Sequence, residues 1–386
     1  MKICYFLSTS AVAGGANRSL LDMIRQLMST EKDFSCFVIL NGQGTMENAL
    51  QELGIKYYIV TYANAVKSRI AWRTFGKRVF NIFAKQKLKS ILRNERPDIV
   101  HNNSLPTTIG MELALQEKIP YICHIRENVW SGLGMDFYAP ETVKCVINNA
   151  HSVIAISEFI KNSYKDFHRN DVIVVPDGLL IDDYYSPNRE ILKNEKVNIL
   201  IVGVVNPQKG QADAVKAVEI LQQKGYDINL TILGAFGRWK ESTRYADELK
   251  DYVTERAIPN IHFMEPINDD KELKNLRNKF DINLICSSAE GLGRTTIESM
   301  LSGALTIAAN AGATPEIITD HKTGLLYTSG VINELYSCIE WAINNRINAR
   351  KIAQNGQCFA YNTFSVREYA EKIMAIYKSI NNLYQN

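Results

Sequence analysis

The sequence predicts an α/β protein made of two doubly wound domains. Three observations carry that expectation. A chain of 386 residues is longer than one hydrophobic core usually serves. Its first half alternates short apolar runs with helical stretches, the pattern of a parallel sheet covered by helices. The alternation pauses in a polar, charged stretch containing Pro187 and restarts at Val197.

Taken in order, residues 3–7 read as the first strand, Gly14-Gly15 as a turn and residues 16–28 as an amphipathic helix. Residues 34–40, 56–60, 98–101, 121–125, 152–156 and 172–175 read as six further short strands. The second half opens on the apolar run Val197-Asn198-Ile199-Leu200-Ile201-Val202 and continues with strands at 228–233, 261–264, 282–286 and 305–308. The two halves share a pattern but no visible sequence repeat. These readings place a first domain at 1–185, a linker at 186–196, a second domain at 197–363 and a terminal helical segment at 364–386.

Composition narrows the function. With 46% hydrophobic and 22% charged residues the chain has the balance of a globular protein. A net charge of +3 is too small to argue for a nucleic-acid binder. The seven cysteines, at 4, 36, 123, 145, 286, 338 and 358, form no C-x2-C or Cys/His cluster, so a reducing cytoplasm fits better than a disulfide or zinc framework. The N-terminus mimics a signal peptide, yet its apolar core is shorter than the ~7–15 residues expected. No apolar run approaches the ~18 residues of a membrane span. One segment departs from this balance. Residues 66–96 hold Lys67, Arg69, Arg73, Lys77, Arg78, Lys85, Lys87, Lys89, Arg93 and Arg96 against Glu95 alone, 10 − 1 = +9, interleaved with apolar residues. That pattern points to an anionic membrane surface, against the plainer reading of a solvated helix face.

The stretch richest in chemistry is Ser287-Ser288-Ala289-Glu290-Gly291-Leu292-Gly293-Arg294-Thr295-Thr296-Ile297-Glu298. It runs from a strand through a glycine turn into a helix that Gly303 can end. Backbone N–H groups and the helix dipole at such a junction favour a phosphate. Glu290 lies in the turn and Glu298 about one turn into the helix, so they can hold two ends of one ligand. This Glu-x7-Glu spacing resembles the signature of the family 4, or group 1, glycosyltransferases. Gly303-Ala304-Leu305-Thr306, Gly312-Ala313-Thr314-Pro315-Glu316 and Thr323-Gly324-Leu325-Leu326 resemble the blocks that follow it there, in the same order.

The resemblance implies the GT-B fold, two Rossmann-like domains facing a central cleft, with the last helix crossing back to the first domain. It implies transfer of a sugar from a nucleotide diphosphate sugar to a saccharide or lipid-linked acceptor, as in bacterial surface polysaccharide or glycoconjugate synthesis. Configuration would be retained, with no metal and no cofactor beyond the nucleotide sugar. By the same resemblance Glu298 would accept the ribose hydroxyls and Glu290 would contact the transferred sugar. Gly291, Leu292 and Gly293 would line the phosphates, and Pro266 and Ile267 would face the base. Lys209-Gly210 matches the family's diphosphate-gripping block, but Val204 stands where that block has an arginine. Arg294 could substitute, because guanidinium grips phosphate in a bidentate manner. In the first domain Gly14-Gly15 would lie near the sugar and phosphate. The family's histidine position falls at Arg126, with His124 two residues earlier on the same strand face, so either could reach the sugar. A GT-B epimerase and a non-catalytic GT-B partner subunit are the alternatives.

Overall fold

The computed structural model describes the chain apart from residues 13, 69–70, 133, 168–170, 237–239, 268 and 386, and apart from the side chains of residues 71–73, 78, 240, 270 and 384–385. Of the basic segment, Arg69 and Ile70 therefore lie outside the described residues, as do the side chains of Trp72, Arg73 and Arg78. The chain forms two compact units, Met1–Leu179 with Ser365–Asn386, and Leu180–Phe364.

The first unit carries seven strands: β1 (Lys2–Phe6), β2 (Ser35–Leu40), β3 (Lys56–Ile59), β4 (Ile99–Asn102), β5 (Tyr121–Ile125), β6 (Ser152–Ala155) and β7 (Val172–Val174). All pair in parallel, in the order β3-β2-β1-β4-β5-β6-β7. β1 and β5 are buried almost throughout, which is why they read as continuous apolar runs instead of alternating ones. The second unit repeats the plan with β8 (Val197–Val202), β9 (Ile228–Leu233), β10 (Ile261–Met264), β11 (Ile282–Ile285), β12 (Leu305–Ala309) and β13 (Leu325–Tyr327), in the order β10-β9-β8-β11-β12-β13. Each sheet reverses its winding beside its first strand, between β1 and β4 and between β8 and β11. In such sheets the crevice beyond the strand ends at that reversal is where ligands bind.

The terminal helix Val366–Gln385 belongs to the first unit. Tyr369, Ala370, Ile373, Met374, Tyr377 and Ile380 repeat at helical spacing and are buried with Leu20, Met23 and Leu27 of the Gly15–Thr30 helix. Residues 186–196, polar in sequence, are packed onto the second unit. Ile191 and Leu192 enter its core, and the Leu192 N–H donates to Asp281 Oδ1 at 2.7 Å. β13 is only three residues long, and nothing in its sequence marks it as a strand beyond two leucines before Tyr327. Among the described residues no helix is long and apolar enough to cross a membrane.

Candidate active site

Both loops at the reversal of the second sheet carry residues singled out in the sequence. After β8 the chain makes a single 3-10 turn, Pro207–Lys209, whose start is capped by Asn206: its Oδ1 accepts the Lys209 N–H at 3.0 Å. Gly210 follows at φ 67° and is pressed against the end of β11. A Cβ there would lie 2.5 Å from the Cys286 carbonyl oxygen, so only glycine lets the two loops meet. The Ser288 N–H donates to the Gln208 carbonyl at 3.0 Å and ties the loops together. Across this junction Lys209 Nζ pairs with Glu290 Oε1.

Glu290 is held from behind. The Ala313 N–H donates to its carbonyl at 2.9 Å. A Cβ on Gly312, at φ 59°, would lie 2.5 Å from that same oxygen. The Gly312-Ala313-Thr314-Pro315 block thus acts as a backstop for the Glu290 turn. Gly291, Leu292 and Gly293 lead from there into the Arg294–Leu301 helix, with Leu292 buried.

Glu298, one turn into that helix, is held by two guanidinium groups. Arg294 Nε donates to its Oε1 at 3.1 Å and Arg277 Nη2 to its Oε2 at 2.8 Å. Arg294 therefore lies on Glu298, with Tyr184 Oη 3.5 Å away. Arg277 ends the Asp270–Arg277 helix and is 1% exposed, with no partner among the described residues for its Nε and Nη1. Sequence reading passed it over, because its helix has the charged composition of a solvated one and carries no motif. Pro266 is exposed beyond β10. Ile267 is half-buried and packs with Val202, Met264, Leu273 and Leu276 against Leu200, Leu233 and Phe280.

In the first unit Gly14 and Gly15 open the Gly15–Thr30 helix at the β1 side of the reversal, and a Cβ on either would meet open space. His124 and Arg126 lie at the end of β5 and both are buried. His124 Nδ1 is 3.1 Å from His101 Nε2, and His101 Nδ1 is 2.6 Å from Tyr377 Oη. Burial first, with Arg126 nearby, lowers His101 to about 3 and holds His124 well below its ordinary value, so both rings are neutral. Arg126 donates to Asn103, Asp177 and Tyr369, at 2.9, 2.5 and 2.7 Å. Burial works against its charge, but Asp177 and Tyr369 outweigh it and keep the guanidinium protonated. Through Tyr369 and Tyr377 this polar cluster fastens the terminal helix to the sheet. Beside it burial lifts Glu127 to about 7, while Ser104 Oγ donates to its carboxylate at 2.9 Å. Neither Asp177 nor Glu127 was given a role by sequence: Asp177 lies in a loop without a motif, and Glu127 only follows the position matched at Arg126.

The family profile described as Glycosyltransferase Family 4 matches residues 13–182, and that of Glycosyl transferases group 1 matches residues 186–358. The chain belongs to the group 1, family 4 glycosyltransferases. An uncharacterized glycosyltransferase of Methanocaldococcus jannaschii is 25% identical to it over 87% of this chain and 93% of its own. Alpha-maltose-1-phosphate synthase of Mycolicibacterium smegmatis is 23% identical over 76% of this chain and 82% of its own. Among solved structures, HepE of Anabaena in complex with UDP and glucose matches with a TM-score of 0.79 at 20% identity, covering 98% of this chain and 100% of its own. HepE was also solved with UDP-glucose, at a TM-score of 0.78. These likenesses place both Rossmann-like units of this glycosyltransferase in the GT-B fold.

Proposed function

We propose that this glycosyltransferase moves a hexosyl group from a nucleotide diphosphate sugar to a hydroxyl of a saccharide or lipid-linked glycan, with retained configuration. It works without a metal ion or other cofactor, in the cytoplasm or on the inner face of the membrane, in synthesis of a bacterial surface polysaccharide or glycoconjugate. The observation that carries this reading is the Lys209–Glu290 pair, at the sheet reversal, beside Glu298 with its two guanidinium groups. The donor reading is supported by HepE, which has the same fold and was solved with UDP-glucose.

Without donor, Lys209 and Glu290 neutralise each other. A diphosphate competes for the ammonium and releases the carboxylate to accept from sugar hydroxyls. Glu298 keeps lone pairs on both oxygens for the ribose hydroxyls, and the chain at Pro266 and Ile267 faces the base. Lys209 and the helix start at Gly293 then stabilise the charge that grows on the leaving diphosphate, the role a metal fills elsewhere, while Arg294 stays on Glu298. The acceptor oxygen attacks the anomeric carbon on the face from which the diphosphate departs. The new C–O bond forms as the sugar–phosphate bond breaks, and the acceptor proton passes to the departing phosphate oxygen. No side-chain nucleophile takes part.

Turnover of nucleotide sugars in excess chelator, with the product anomer read by NMR, tests this. Lys209→Ala and Glu290→Gln should each lower turnover by about 10²–10³ while staying folded. Wild-type turnover in both would remove the site. Inversion at the anomeric carbon, or loss of activity in chelator that Mg²⁺ restores, would replace the mechanism.

A further inference from the structure

The Ala71–Glu95 helix has two apolar faces. Ala84, Leu88, Ile91 and Leu92 are buried against the first unit. Phe75, Val79, Ile82 and Phe83, spaced i, i+4, i+7 and i+8, fall within about a 100° arc on the other side. They are 70, 41, 57 and 68% exposed, and Phe80 beside them is 47% exposed. Among the other described residues the exposed large hydrophobic ones are scattered singly along the chain, as is ordinary for a surface. Five within nine residues of one helix, three of them phenylalanine, are a patch.

The charge around the patch says what covers it. Some of the basic residues are engaged by the first unit itself: Lys85 with Glu112 at 2.6 Å, Lys89 and Arg93 with Glu117 at 2.6 Å, and Lys67 with Asp136 at 3.8 Å. Lys77 Nζ donates to the Val66 carbonyl at 2.7 Å, and Glu95 is taken by Lys2 and Lys56 at 2.6 and 2.5 Å. Counting those two lysines with the ten bases against Glu95, Glu112, Glu117 and Asp136 leaves 12 − 4 = +8 over the segment and its partners. A second copy of this chain would bring the same positively charged segment and be repelled. We infer that this face is a docking surface for an anionic lipid bilayer: Phe75, Val79, Ile82 and Phe83 enter the headgroup boundary, and the surplus bases contact lipid phosphates. The proposed lipid-linked acceptor gives the surface its purpose, but vesicle binding is measured without donor or acceptor, so the two readings fail separately.

The pairing to Glu112 and Glu117 also decides the variant. Reversing Lys85 or Lys89 would break contacts inside the unit, whereas Phe75 and Phe83 point away from it. Co-sedimentation of the full chain with phosphatidylglycerol-rich vesicles and with phosphatidylcholine vesicles is the test. Wild type should bind the anionic vesicles and not the neutral ones. Part of the binding should survive at about 0.15 M salt, because charge attraction is screened there and apolar insertion is not. Phe75→Ser with Phe83→Ser should lower the vesicle partition about ten-fold or more at that salt, with melting temperature and nucleotide binding unchanged. No binding to anionic vesicles at low salt, or equal binding by the double variant, overturns the inference. So does a dimer in sedimentation velocity that the double variant dissolves, which would assign the face to a second copy.

Discussion

Replacing Arg277 by Met separates what holds the second unit together from what prepares it for a donor. Arg277 is 1% exposed and bonds Glu298 Oε2 at 2.8 Å. Removing one partner of a buried pair costs about 3–5 kcal/mol when the other charge is left alone. Glu298 is not left alone, because Arg294 still donates to Oε1. The loss therefore reduces to one charge-assisted hydrogen bond, about 1.5–3 kcal/mol. Against it stands relief at Nε and Nη1, which have no partner among the described residues, at about 1–3 kcal/mol each. The relief offsets most of the loss or exceeds it, so stability should not fall by more than about 2 kcal/mol, or about 4–8 °C in Tm for a unit of this size. Donor binding should suffer more than stability. A glutamate released on one side must be ordered again when it meets the ribose, which costs about 1–2 kcal/mol, or about five- to thirty-fold in Kd. Calorimetric titration of the nucleoside diphosphate into wild type and Arg277→Met, with melting curves of both, is the assay. An unchanged Kd would show that Glu298 needs no help from Arg277. A fall in Tm beyond about 10 °C would show that the ion pair holds the fold instead of orienting the site.

Three further outcomes follow from the same geometry. Gly312→Ala places a Cβ 2.5 Å from the Glu290 carbonyl oxygen at φ 59°, so transfer should drop with a loss of about 2 kcal/mol or more in stability; an unperturbed variant would show that the backstop is loose. Acid should destabilise the first unit. His101 sits at about 3 and His124 well below its ordinary 6.5, so the unfolded chain takes up their protons first and stability falls with pH below about 6.5. Glu127, raised to about 7, opposes one of them down to about 4.5, leaving a net loss of about 1.4 kcal/mol per pH unit that steepens below. A Tm that is flat or rises from pH 6.5 to 4.5 would show that the histidines are not buried neutral. His101→Gln should lessen the slope if the cluster is the cause.

The fold was legible wherever burial on both faces of a strand wrote a continuous apolar run, as in residues 3–7 and 282–285. It was illegible where one or two apolar side chains did the packing. Ile191 and Leu192 anchor a stretch that its charges had marked as a linker. The loops of the candidate site were legible because glycines at fixed spacing are demanded by close backbone approach, as at Gly210 and Gly312. Arg277 was not, because a single buried arginine at the end of a polar helix leaves no periodic trace. The basic segment forms a helix with two apolar faces, where the sequence suggested a single amphipathic one, and a sequence does not say which apolar face is spent on the core. Burial of Leu88 and Leu92, and exposure of Phe75 and Phe83, separates the two.

The central claim is that the reversal of the second sheet is a nucleotide-sugar site built on Lys209, Glu290 and Glu298. Its most direct test is titration of UDP-sugars and GDP-sugars into the wild type, Lys209→Ala and Glu298→Gln proteins. One donor series should bind wild type, and each variant should lose about ten-fold or more, the size of one charge-assisted contact of about 1.5–3 kcal/mol. Failure of every nucleotide sugar to bind wild type, or binding by both variants with wild-type affinity, would contradict the account.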